Sequence, residues 1–224
     1  MFDPQKLLEQ FLGGAGQQGG KPGLSPDLLK GLAGGSVAGS LATILLSGGS
    51  PKKMAKTMLK VGGTAVVAGL AYKAWNQWQA SRGGSATPAA GANPEGTAFL
   101  PAPKAERDAM SLALLTAMIA AAKADGHIDE AEQKRIGLKL EEANLEPEAR
   151  SFLAEELKKP LDIEAVVRAA TTPELAAEIY AASRLAIDPD DPAEQAYLAM
   201  LAARLKLAPE LKAAIESEAA KALA

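Results

Sequence analysis

Lys123-Ala-Asp-Gly-His-Ile-Asp-Glu-Ala-Glu-Gln-Lys-Arg135 sets Asp125, Asp129, Glu132 and the chain's only histidine, His127, in a short loop that opens a helix. A second version follows at Ile187-Asp-Pro-Asp-Asp-Pro-Ala-Glu-Gln195. Asp129-x-Ala-Glu-Gln matches Asp191-x-Ala-Glu-Gln, and at the same offset Leu145-x-Pro-Glu matches Leu207-x-Pro-Glu. Seven of the twenty positions from Asp129 to Glu148 are identical to their counterparts; an alanine-rich chain produces chance matches, but Asp, Gln and Pro in register are harder to dismiss. A one-residue gap upstream aligns Asp125 with Asp188. The repeated unit is helix, acidic loop, helix, Leu-x-Pro-Glu, helix. Two units are too few for a stable solenoid, so the spacing predicts an all-α bundle with an internal pseudo-twofold repeat.

Outward from the loop, residues 104–224 read as about seven helices and no strand. Lys104 to Ala124 carries Met110, Leu112, Leu114, Leu115, Met118 and Ile119 around most of its circumference, the pattern of a central buried helix. Asp129 opens the next, to about Ala143. Pro147, Asp162, Pro173, Pro192 and Pro209 each stand near a further helix start, matching the preference for proline at the first helical position. Aromatics are only 4% of the chain, so the core is expected to be helix on helix with small side chains.

The front half reads differently. Residues 1–30 form a flexible N-terminal region, with a short amphipathic helix expected at Met1–Leu12 (Phe2, Leu7, Leu8, Phe11 and Leu12 on one side) before a glycine-rich linker. Gly31 to Pro51 holds no charge and is long enough to cross a bilayer as a helix, although its apolar content is weak. Gly31, Gly35 and Gly39 make a small-residue stripe of the kind that lets membrane helices approach closely, an expected route to self-association. Lys52, Lys53, Lys56 and Lys60 follow, then an apolar stretch from Val61 ending at Tyr72, Trp75 and Trp78. That stretch is too short to span and is expected to lie in the interface or pack back on the first segment, its indoles in the headgroup zone. Residues 31–80 are thus read as Gly-rich membrane-associated helices, and 81–103 as a Gly/Ala/Pro linker beyond which 104–224 folds alone. The lysines place the C-terminal domain in the cytoplasm by the positive-inside rule.

The acidic loops admit two chemistries. Asp129 with Glu132, and Asp191 with Glu194, have capping-box spacing, in which Asp accepts from a free first-turn amide and Glu reaches back. That leaves Asp125, His127, Asp188 and Asp190 unexplained. Asp125-x-His127-x-Asp129 begins like an EF-hand loop, but Glu130 stands where Gly is needed and Ile136 where a bidentate Glu is needed. Clustered carboxylates still suit a hard divalent cation, Ca²⁺ or Mg²⁺, through oxygen ligands. The candidate ligands are Asp125, Asp129 and Glu132 in the first loop, and Asp188, Asp191 and Glu194 in the second. One histidine and no cysteine argue against zinc. No Walker loop or recognisable catalytic triad is present, so no enzymatic activity is expected. The net charge of -3 argues against a nucleic-acid partner.

The Lys123-Ala-Asp-Gly-His-Ile-Asp-x-x-Glu132 motif, on a buried Ala/Leu/Met helix, resembles the opening of TerB-like domains, named for tellurite-resistance proteins. Gly62-Gly-Thr-Ala-Val-Val-Ala-Gly-Leu-Ala-Tyr-Lys-Ala-Trp75-Asn-Gln-Trp78 resembles the YebE-type family of bacterial inner-membrane proteins, which pair such a segment with a TerB-like domain. The resemblance implies an all-helical bundle of two similar halves, proposed divalent-cation binding at the six acids above, inner-membrane residence, and a role in envelope or metal (tellurite-type) stress. The second loop departs from the first in having prolines and no Gly-His, which implies unequal halves. The alternative is a metal-free module that binds an unknown protein partner, its acidic loops serving as helix caps.

Overall fold

The computed structural model describes residues 3–11, 63–83, 94–124, 145–187 and 191–223. Among them stand eight helices and no strand. They are α1 (Pro4–Phe11), α2 (Gly63–Ser81), α3 (Lys104–Ala122), α4 (Pro147–Lys158), α5 (Ile163–Ala169), α6 (Pro173–Ala186), α7 (Pro192–Arg204) and α8 (Pro209–Leu223). The all-α expectation holds, and so do five of the sequence-read helix starts after Lys104. Proline occupies the first turn of α4, α6 and α7, where its missing N–H costs no bond and its fixed φ suits the helix. The two Leu-x-Pro-Glu stretches open α4 and α8. The helix expected from Asp129 to Ala143 lies outside the described residues.

The molecule is organised around α6. Ala176 through Ala186 are all buried, and α6 packs against α2, α3, α7 and α8. Alanine makes this possible, because small side chains let neighbouring axes approach closely and lose no rotamer freedom. The sequence pattern assigned the central place to α3. It shares that place: α3 packs against α1, α4, α5, α6 and α7, with Met110, Leu114, Leu115 and all of Ala117 to Ala121 buried, while Leu112 is 36% exposed.

The front of the chain joins the same core. Leu7 and Leu8 of α1 are buried, and Gln5 donates to Asp108 at 2.7 Å, tying α1 to α3. Val67, Ala68, Leu70, Ala71 and Ala74 of α2 are buried against α6 and α8. The indoles expected in a lipid headgroup zone have protein partners. Trp75 meets Phe99 edge-on at 5.8 Å and Trp78 at 5.0 Å, while Arg82 lies over the Trp78 ring. Phe99 comes from the stretch read as linker. A turn at 94–100, closed by Gly96 N–H donating to the Leu100 carbonyl at 2.8 Å, sets its ring into the core, 3% exposed. Sequence could not anticipate this, because Gly/Ala/Pro composition carries no periodic signal while one aromatic ring buries enough area to fix a turn.

No helix among the described residues is long and apolar enough to cross a membrane. The stretch read as a span, residues 31–51, lies outside them.

Candidate functional site

Of the six acids read as cation ligands, Asp125, Asp129, Glu132 and Asp188 lie outside the described residues, as does His127. Asp191 and Glu194 are described. Asp191 is exposed in extended backbone at the start of α7, and its Oδ1 accepts from the Ala193 N–H at 2.8 Å and the Glu194 N–H at 3.1 Å. This is the Asp half of the expected capping box, and it satisfies two first-turn amides that would otherwise be orphaned. Asp162 does the same for α5, accepting from the Ala165 N–H, and Thr172 for α6, accepting from the Leu175 N–H. Three successive helices of this chain therefore start on a side-chain cap, and only one of the three belongs to an acidic loop. Among the described residues no group of three or more His, Cys, Asp or Glu is placed to hold a metal ion.

Lys123, the first residue of the organising motif, has a structural task. Its Nζ donates to the carbonyls of Glu156 and Lys159, each at 2.9 Å, at the C-terminal end of α4. A cation there meets carbonyls with no helical partner and the negative end of the dipole. Burial pulls the Lys123 ammonium below its usual range, Glu156 opposes that, and neighbouring Lys159 adds to it. The acidic loop thus leaves α3 from a residue pinned to α4.

The polar chemistry of the interior lies on α6, and the sequence reading missed it. Arg184 is 5% exposed, and its Nε donates to Glu216 Oε2 of α8 at 2.6 Å. Glu216 Oε1 accepts from the Tyr180 hydroxyl, one turn earlier on α6. Burial, with Glu216 adding to it, pushes the Tyr180 phenol far up. The three groups bolt α8 to α6 through one carboxylate. Removing it should be costly. Glu216→Ala leaves a buried guanidinium without its acceptor, an effect of about 3–5 kcal/mol, read as a lowered urea midpoint. Glu216→Gln, which keeps an acceptor for one partner, should cost less.

Glu178 and Tyr197 complete the group. Glu178 is fully buried, and neither carboxyl oxygen has a hydrogen-bond partner among the described residues. Loss of water, with the Glu174 carboxylate one turn away adding to it, pushes the Glu178 carboxyl up to about 9. It is therefore protonated at neutral pH. Tyr197 of α7 is pushed up to about 12 by burial, the Ser183 hydroxyl working the other way. Part of the signal was legible: Glu178, Ser183 and Arg184 interrupt an otherwise apolar, alanine-rich run from Leu175 to Ala186. Their burial was not, since the same spacing fits a solvated face.

A family model described as a protein of unknown function (DUF533) matches residues 31–219. An "Uncharacterized protein in ampR 5'region" of Yersinia enterocolitica is 31% identical over 105 residues, covering 47% of this chain and 76% of that protein. No solved structure matches the chain.

Proposed function

The chain belongs to the DUF533 family, and on that premise we propose that it is a non-enzymatic protein-interaction module held at the bacterial inner membrane. The observation that carries the module reading is Asp191. Its Oδ1 is engaged by the backbone amides of Ala193 and Glu194, as Asp162 and Thr172 are engaged on helices that lack an acidic loop. In this reading the acidic loops set helix starts in both halves of a TerB-like pseudo-repeat, and the helical body presents its outer faces to a partner. The membrane part rests on sequence: the uncharged run Gly31–Pro51, followed by Lys52, Lys53, Lys56 and Lys60, places the body on the cytoplasmic side.

A second reading is supported by the duplication of Asp129-x-Ala-Glu132 as Asp191-x-Ala-Glu194, with Asp125 and Asp188 preceding them. Both loops would then bind Ca²⁺ or Mg²⁺ in envelope or metal stress. Melting separates the two. A cation that binds only the folded state adds RT ln(1 + [L]/Kd), about 2.7 kcal/mol at a hundredfold excess over Kd. Caps respond to salt only by weak screening. The full chain is expected to melt at the same temperature in millimolar Ca²⁺, Mg²⁺ or Mn²⁺ as in EDTA at matched ionic strength. A rise that Asp125→Asn abolishes would establish the cation reading instead. Membrane residence is checked by fractionation: the full chain should sediment with membranes after lysis and ultracentrifugation, and recovery in the supernatant would refute it.

A further inference from the structure

The outward face of α7 has no partner among the described residues. Tyr197, Leu198, Leu201 and Ala202 turn inward, which leaves Ala196, Ala199, Met200 and Ala203 exposed, with Met200 at 44%. The ends of this face carry opposite charges. Asp191 stands at its start, preceded in sequence by Asp188 and Asp190, and Arg204 and Lys206 stand at its end. Arg204 is held by Glu164 of α5 at 2.6 Å. Lys206 is exposed with no salt-bridge partner among the described residues. It also sits at φ 54°, in the left-handed region where a helix usually ends on glycine. The Leu207 N–H donates to the Ala202 carbonyl at 3.1 Å there, and the Lys206 N–H to that of Ala203.

We propose that this face of α7 docks antiparallel on the same face of a second copy of the chain. The antiparallel arrangement is the one that charge selects. A register that sets Ala199 of one copy against Met200 of the other also sets Ala196 against Ala203. It brings Lys206 to the other copy's Ala193, within side-chain reach of that copy's Asp191. Both charged ends are matched at once, because a twofold interface makes every contact twice. The two helix dipoles then lie side by side in opposite directions, each positive end beside the other's negative end, which favours the same arrangement. Parallel packing would instead set aspartate against aspartate. Alanines let the two backbones approach closely, and Met200 supplies the larger apolar contact. One helix face is a small interface, so the dimer is expected to be weak and concentration-dependent. This deepens the interaction-module reading and rests on it for the place of Asp191 at the helix start.

The chain has no cysteine, which allows a clean test by single-cysteine crosslinking of the full protein under mild oxidation. In the antiparallel register, Ala199→Cys meets its own copy near the crossing point, within the roughly 7 Å between Cα atoms that a disulfide tolerates. Ala193→Cys is displaced from its copy by about 20 Å of helix at 1.5 Å per residue. Crosslinking at 199 is expected to be at least tenfold faster than at 193. Equal rates, which parallel packing or association through Gly31, Gly35 and Gly39 would produce, overturn the proposal, as does crosslinking at neither position. Met200→Lys should shift sedimentation to monomer with the melting temperature unchanged. Lys206→Gly should weaken the dimer while holding or raising the melting temperature, because glycine suits the left-handed site and removes only the charge. An unaltered dimer in both variants would also overturn it. The cation-melting result is independent of these readouts, so failure of the dimer is distinguishable from failure of the module reading.

Discussion

A chain cut to begin at Lys104 is expected not to fold, although composition alone marks the preceding stretch as linker. The cut removes Leu7 and Leu8 of α1, Val67 and Leu70 of α2, and Phe99 of the turn before α3, all buried in the common core. At about 1.5–3 kcal/mol for each fully buried side chain of this size, the loss reaches roughly 7–15 kcal/mol. Whole domains are stable by about 5–15 kcal/mol. The cut also uncovers apolar faces of α3, α6 and α8, which α1 and α2 cover in the full chain. Circular dichroism of residues 104–224 should show reduced helicity and a broad, non-cooperative thermal transition, with strong binding of a hydrophobic dye. Supplying residues 1–103 as a separate chain should restore a cooperative melt. A sharp transition with full helicity from the fragment alone would show that α1 and α2 are an accessory layer.

Replacing Glu178 is expected to stabilise the protein, and to do so more as pH rises. In the folded chain this carboxyl titrates at about 9, against a reference value of 4.5. A group held up in this way favours folding most at low pH, below about 4.5. Between the two values the unfolded chain gives up its proton while the folded chain keeps it, so stability falls with rising pH and levels off above about 9. At 1.36 kcal/mol per unit, the cost at pH 7 is about 3 kcal/mol, and at pH 5 it is under about 1 kcal/mol. Glu178→Gln removes the titration and keeps the shape. Urea unfolding should therefore place the variant above the parent by about 3 kcal/mol at pH 7, with most of the gap closed at pH 5. A gap of equal size at both values would mean that the side chain acts through packing and not through its proton. Glu178→Leu, which also removes the unpartnered oxygens, should stabilise at both, since a buried polar atom without a hydrogen bond costs about 1–3 kcal/mol.

These two residue sets mark where sequence reading succeeded and where it stopped. Helix starts were legible because they are local: Pro147, Pro173, Pro192 and Pro209 act within their own first turn, and so do the oxygens of Asp162 and Asp191. The helices from α4 to α8 begin where those residues predict. The capping role of Asp191 was legible for the same reason. What joined those helices was not local. Glu216 reaches Tyr180 and Arg184 across more than thirty residues of chain, and Lys123 reaches Glu156 and Lys159 across a similar span. No periodicity encodes such a meeting, because each partner alone fits a solvated surface.

The sequence by itself determined the helical class and the positions of the helix starts, and it offered Asp191 as a helix cap beside a cation-ligand reading, all from interactions within a turn or two of backbone. Tertiary structure alone decided that α6 shares the centre with α3. Both are buried over much of their length, and the alanines of α6 let α2, α3, α7 and α8 approach it closely, while α3 keeps Leu112 outward. It also decided that α2 packs into the core, with Trp75 and Trp78 partly buried against it. An apolar face with aromatic ends is the same pattern whether it meets lipid or protein, and only the presence of α6, α8 and Phe99 across from it makes the difference.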